Sequence, residues 1–202
     1  MKLNRELYTT GNKKLVLADF NKLIKHFPDD ASVYISRGWF YRDRKKWKLA
    51  LFDFNKAIKL SPNLADGYLE RGLIHHKFNE YDRAGLDYQK VLELEGIYLL
   101  IAIINIGLIA YEKGFKDEAV KQWQKALQIN NSVEAQLALA VAEYMKGDTE
   151  TAFEIAETAL KRDLNFASLS YLQENLWGEH LRSDTAKLLS THRMQNFILA
   201  NS

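Results

Sequence analysis

One spacing constrains this chain more than any other feature. Phe20, Phe54, Tyr88 and Trp123 are separated by 34, 34 and 35 residues, and Ala50, Ala84, Ala119, Ala152 and Ala186 by 34, 35, 33 and 34. Gly38, Gly72 and Gly107 precede three of those alanines by 12, while Ala57, Val91, Ala126 and Ala159 follow four of them by 7. Pro28 and Pro62, the two prolines of the 202 residues, are again 34 apart. A unit of that length cannot bury its own apolar face, so the copies must stack on one another around a shared core.

Each unit reads as two helices. The breaks fall where residues tolerant of left-handed or turn geometry occur: Gly11-Asn12, Asn79-Glu80, Gly114 and Gly147-Asp148. Small residues at Gly38, Gly72, Gly107 and Ala140 let the partner helix approach closely, and the aromatics fill the volume beside them. Pro62 ends its helix because it drives Ser61 out of the α region. About twelve helices follow from this count.

The pattern resembles the tetratricopeptide repeat (TPR) family. The fullest copy runs from Ala31 to Leu64 with Tyr34, Gly38, Tyr41, Ala50, Phe54, Ala57 and Pro62 in place. The next carries Tyr68, Gly72, Tyr81, Ala84 and Tyr88, the third Gly107, Ala119, Trp123 and Ala126, and the fourth Ala140, Gly147, Asp148, Ala152 and Ala159. An incomplete copy opens the chain with Leu3, Leu7, Gly11, Asn12, Phe20 and Pro28. The resemblance implies an all-α, right-handed superhelical solenoid of about five to six helix-turn-helix repeats. Its parts are a partial repeat over 1–30, repeats over 31–64, 65–99, 100–132 and 133–166, and a degenerate repeat or capping helices over 167–202. Arg37 and Arg71 stand where the family usually has leucine. Their aliphatic stems are expected to pack while the guanidinium heads reach solvent.

Catalytic and metal chemistry find little support. With no cysteine, disulfides, thiolate zinc sites and cysteine nucleophiles are excluded. His75 and His76 are adjacent, about 100° apart on a helix, and do not chelate one ion together. His76 with Glu80 supplies two ligands without a third, so it reads as a surface histidine rather than a metal site. No phosphate-binding glycine loop, HExxH or nucleophile elbow occurs. The expectation is a non-enzyme without catalytic residues, cofactor or metal. Ile97 to Tyr111 is almost wholly apolar, yet it is shorter than the roughly 20 residues a membrane helix needs, so it reads as a buried helix. The first residues show no continuous apolar secretory segment, which makes the cytoplasm the expected compartment.

Two surfaces remain. Residues 1–60 hold 14 Lys+Arg against 6 Asp+Glu, whereas the rest hold 14 against 20. The densest basic edge comprises Arg42, Arg44, Lys45, Lys46 and Lys48 around Trp47, suited to phosphate or an acidic partner. The overall charge of +2 is small for a nucleic-acid protein. In the TPR family the first helix of each repeat lines a concave groove. The resemblance places Ile35, Trp39, Leu69, Leu73, Ile101, Ile104, Leu108, Tyr111, Leu137, Val141 and Tyr144 along it. The family's cationic clamp for acidic chain ends is missing, because those positions carry Ile35, Ser36, Trp39, Asp66 and Glu70. An apolar groove of this kind suits another protein's peptide or amphipathic helix, bound by a non-enzymatic scaffold or assembly factor. The alternatives are homodimerisation through the groove, and RNA or an anionic surface at the basic edge. At the C-terminus, Ser168 and Ser183 are placed to begin helices. A single capping helix from Asp184 to Ala200 over Trp177 is expected, with occupation of the groove as the lesser reading.

Overall fold

The computed structural model describes residues 13–202, with side chains from residue 16. These form twelve α-helices and one 3-10 turn, with no strand among them. Leu3, Leu7, Gly11 and Asn12 of the opening partial repeat lie outside the described residues. Two compact units divide the chain, one ending at Leu94 and the other starting at Glu95. No described helix is long and apolar enough to cross a membrane.

The first unit contains α1 (Lys13–His26), α2 (Ala31–Arg42), α3 (Trp47–Leu60), α4 (Ala65–Lys77) and α5 (Tyr81–Leu94). Asp30 caps α2 by accepting the Ser32 amide at 2.9 Å, and Ser61 before Pro62 leaves the helical region at φ −137°, ψ 87°. Helix α2 pairs with α3, and α4 with α5. Gly38 explains how closely the first pair meets, since a Cβ there would collide with the Phe54 ring. Phe20, Tyr34, Phe40, Phe54 and Ile74 make the buried centre of this unit.

Arg37 and Arg71 do not extend to solvent. Arg37 grips Asp53 with Nε to Oδ2 at 2.8 Å and Nη2 to Oδ1 at 2.7 Å, and Arg71 holds Asp87 in the same fork. Their remaining Nη1 donors reach back to Asn21 and Asn55, at 2.8 and 2.6 Å. The carboxylates are buried, and a planar guanidinium satisfies both oxygens at once. The aliphatic-stem expectation is therefore corrected: these arginines are internal clamps, repeated at the 34-residue period together with both of their partners.

The second unit contains α6 (Leu99–Glu112), α7 (Lys116–Ile129), α8 (Val133–Lys146) and α9 (Thr149–Arg162). A 3-10 turn (Leu164–Ala167), α10 (Leu169–Glu174), α11 (Glu179–Leu189) and α12 (His192–Asn201) follow. Helix α6 pairs with α7 and α8 with α9. Gly147, at φ 96°, ends α8 in the left-handed conformation that glycine adopts without a steric penalty. Ile97 to Tyr111 supplies most of α6, a buried helix.

The C-terminal segment departs from its expected form. Ser168 does cap α10, but Ser183 lies inside α11, which begins at Glu179. The expected single helix is broken at Thr191, whose hydroxyl caps α12. Helix α12 packs on α9, the last second helix, as a cap would. Helix α11 instead lies against α6 and α8, the two first helices of this unit.

Candidate protein-binding face

In the first unit the predicted stripe lies on α2 and α4. Ile35 and Leu69 are buried, whereas Trp39 and Leu73 are partly exposed. A polar cluster holds Trp39 in place: its indole Nε1 donates to Glu70 Oε1 at 2.8 Å, and Arg42 Nη1 donates to the same oxygen at 2.6 Å. Burial pushes the Glu70 carboxyl above its ordinary range, against the opposing pull of Arg42. The face thus combines apolar side chains with one internally compensated ion pair.

This cluster also reduces the basic edge. Arg42 is engaged by Glu70 and Asp43. Arg44 lies 3.6 Å over the Phe40 ring and donates to the Phe40 carbonyl at 3.0 Å. Lys45, Lys46 and Lys48 are exposed. His76 proves to be buried against the Tyr81 and Tyr88 rings rather than at the surface, and it is His75 that meets Glu80, at 2.5 Å. Among the described residues no three His, Asp or Glu side chains gather as a metal site.

In the second unit the stripe is occupied. Ile101 is exposed and Tyr144 partly so, but Ile104, Leu108, Tyr111, Leu137 and Val141 are buried. Polar bonds fix what covers this face. Tyr111 donates its hydroxyl to Asp184 Oδ2 at 2.7 Å, and Lys116 Nζ approaches the same oxygen at 3.2 Å. Glu112 accepts the His180 and Leu181 amides at 3.1 and 2.8 Å, capping α11 from another helix. Trp177 donates Nε1 to Glu134 Oε1 at 3.1 Å. Glu134 is three and seven residues before Leu137 and Val141, and Tyr111 is three and seven after Leu108 and Ile104, so these stripes share the faces that hold α11. In this unit the chain's own α11 lies along the expected groove, which is the lesser of the two readings given above for the C-terminal segment.

The electrostatics follow from this packing. Burial pushes the Asp184 carboxyl up, but bonds from Lys187, Tyr111 and Lys116 more than reverse it and leave its pKa below the ordinary value. Burial and the adjacent Asp184 raise the Tyr111 hydroxyl. Glu134 is pushed up to about 7 by burial, which its Trp177 bond only partly offsets. Sequence reasoning missed Glu112, Lys116 and Asp184 because the partners are 68 to 73 residues apart. Glu134 stands three residues before Leu137 of the predicted stripe, but its Trp177 partner is 43 residues away.

Family models described as TPR repeat match residues 40–78, and as tetratricopeptide repeat residues 65–97 and 104–164. The chain belongs to the tetratricopeptide repeat family. Among solved structures it resembles MamA, with a TM-score of 0.69 and 21% identity over 83% of this chain and 98% of that one. It also resembles YrrB, described as a TPR protein with an unusual peptide-binding site, with a TM-score of 0.64 and 18% identity over 90% and 96%. PilF of Pseudomonas aeruginosa gives a TM-score of 0.66 and 18% identity over 98% and 95%. These likenesses establish the all-helical TPR fold. No curated protein matches the sequence.

Proposed function

We propose that this TPR protein is a non-enzymatic scaffold that binds an apolar peptide or amphipathic helix along the first helices of its repeats. The observation that carries the reading is α11 itself, a helix lying on α6 and α8. Its buried residues Leu181, Leu188 and Leu189 supply an apolar face, and its N-terminus and Asp184 take polar bonds. A surface built from first helices in this chain therefore suits a helix of mixed apolar and polar character. In the first unit, Trp39 and Leu73 on α2 and α4 offer the corresponding partly exposed surface. The peptide-binding site named for YrrB is consistent with this use of the fold.

Replacing Leu73 with Asp tests the reading, because the side chain is only partly buried and the fold is expected to tolerate the change. Co-purification from the native source is expected to lose the partner with Leu73→Asp while helical circular dichroism is retained. Retention of the partner by the folded variant would place binding elsewhere. Leu108 is unsuitable for such a test, since it is fully buried and an aspartate there would unfold the second unit.

A further inference from the structure

The exposed side of α3 has a composition that protein binding by the first helices does not use. Lys48, Phe52 and Lys59 fall within about 40° of one another on the helical wheel, and Lys56 lies at their border. Phe52 is 66% exposed at the centre of this group, and Leu49 beside it is 46% exposed. The only acid of α3, Asp53, is buried in the Arg37 clamp and contributes nothing to this side. The turn entering α3 adds Lys45 and Lys46, both exposed. The repeat places exposed Lys22 and Lys25 of α1 in the register of Lys56 and Lys59, with Lys22 paired to the exposed Asp19 at 4.0 Å. On α5 the register of Lys48 and Lys59 is taken by Asp82 and Glu93, so the cationic character ends with α3.

We infer that the outer face of α3, with Phe52 among its lysines, is a docking surface for an anionic lipid bilayer. Charge selects the class of partner, since this side carries lysine and no free acid. The apolar residues select among polyanions. A single-stranded nucleic acid stacks its bases on successive aromatic rings, whereas on this side of α3 Phe52 stands alone beside an aliphatic leucine, Trp47 lying about 140° round the helix against the Phe78 ring. Phe52 and Leu49 instead gain transfer energy by entering the boundary between headgroups and acyl chains, with lysines on both sides meeting the headgroups. The surface is separate from the first-helix face, so it holds whether or not a peptide binds there.

The test is co-sedimentation of the full chain with phosphatidylcholine vesicles, with and without phosphatidylglycerol at a third of the lipid. Binding is expected only to the anionic vesicles and is expected to weaken with salt. Lys46→Gln/Lys48→Gln/Lys59→Gln is expected to lower partitioning on the order of 100-fold, from the contribution of each lysine near an anionic surface. Phe52→Ser, folded by circular dichroism, is expected to lower it about 10-fold. Equal partitioning into both vesicle types, or none into either, overturns the proposal. So does undiminished binding by Phe52→Ser, because the inserting ring is what distinguishes a bilayer from other polyanions. Tighter retention on mixed-sequence RNA or polyglutamate than on the anionic vesicles would assign the face to those partners instead.

Discussion

The Tyr111 hydroxyl donates to the Asp184 carboxylate at 2.7 Å, tying the last turn of α6 to the middle of α11 across 73 residues of sequence. Tyr111→Phe removes this bond while leaving Lys116 and Lys187 beside Asp184. The expected loss near neutral pH is about 1–2 kcal/mol, the worth of a bond to a charged acceptor with other donors remaining. Asp184 is held below its ordinary pKa in the folded protein. Its stabilising contribution is therefore present above the unfolded value of 3.8 and disappears as pH falls through the lower folded value. Urea unfolding of both proteins checks this: the difference between them is expected to shrink in acid.

Glu134 gives the opposite dependence. Its folded pKa is pushed up to about 7 from 4.5, so the native state binds the extra proton over that interval. Wild-type stability is expected to fall as pH rises from 4.5 to about 7. Glu134→Gln keeps an oxygen for Trp177 and carries no charge, so the difference between the two proteins isolates the Glu134 contribution. Above pH 7 the variant is expected to exceed wild type by up to roughly 3 kcal/mol, with the two equal in acid. Thermal unfolding across this range measures the crossing.

The segment 177–202, with α11 and α12, is part of the second unit's core. Trp177, Leu181, Leu188, Leu189 and Met194 are all buried, at roughly 1.5–3 kcal/mol each. Their sum is on the order of the whole stability of a domain. Deleting residues 177–202 is expected to abolish cooperative unfolding of the second unit and expose it to limited proteolysis, with resistant fragments confined to residues before Glu95.

The Arg37–Asp53 clamp predicts strong non-additivity. Asp53→Asn leaves a partly buried guanidinium without its counter-charge and is expected to cost about 2–4 kcal/mol. Arg37→Leu/Asp53→Val removes both charges and is expected to recover most of that loss. Chemical denaturation of the single and double variants supplies the comparison.

Much of the fold was legible because its determinants are local or periodic. Gly38 and Phe54 meet at a spacing that recurs through the chain, and Pro62, Asn79, Gly114 and Gly147 mark turns by their own backbone chemistry. The arginine clamps were periodic too, and Arg37 with Asp53 repeats as Arg71 with Asp87. What obscured them was that an arginine in a leucine position reads equally well as a snorkelling side chain. In the third repeat Ile106 and Gln122 occupy the corresponding places, so the pattern covers only two copies. The position of α11 was hidden for another reason. Glu112, Glu134 and Asp184 are ordinary helix-surface residues by local pattern, and only tertiary packing turns them into a capping carboxylate, an indole acceptor and a hydroxyl acceptor.

The most direct measurement of the scaffold reading is photo-crosslinking in the native source, with benzoylphenylalanine in place of Leu73 on α4 in one protein and of Phe52 on α3 in another. A discrete protein adduct is expected from position 73 and none from position 52. An adduct from position 52 alone, or the same adducts from both, would contradict binding along the first helices.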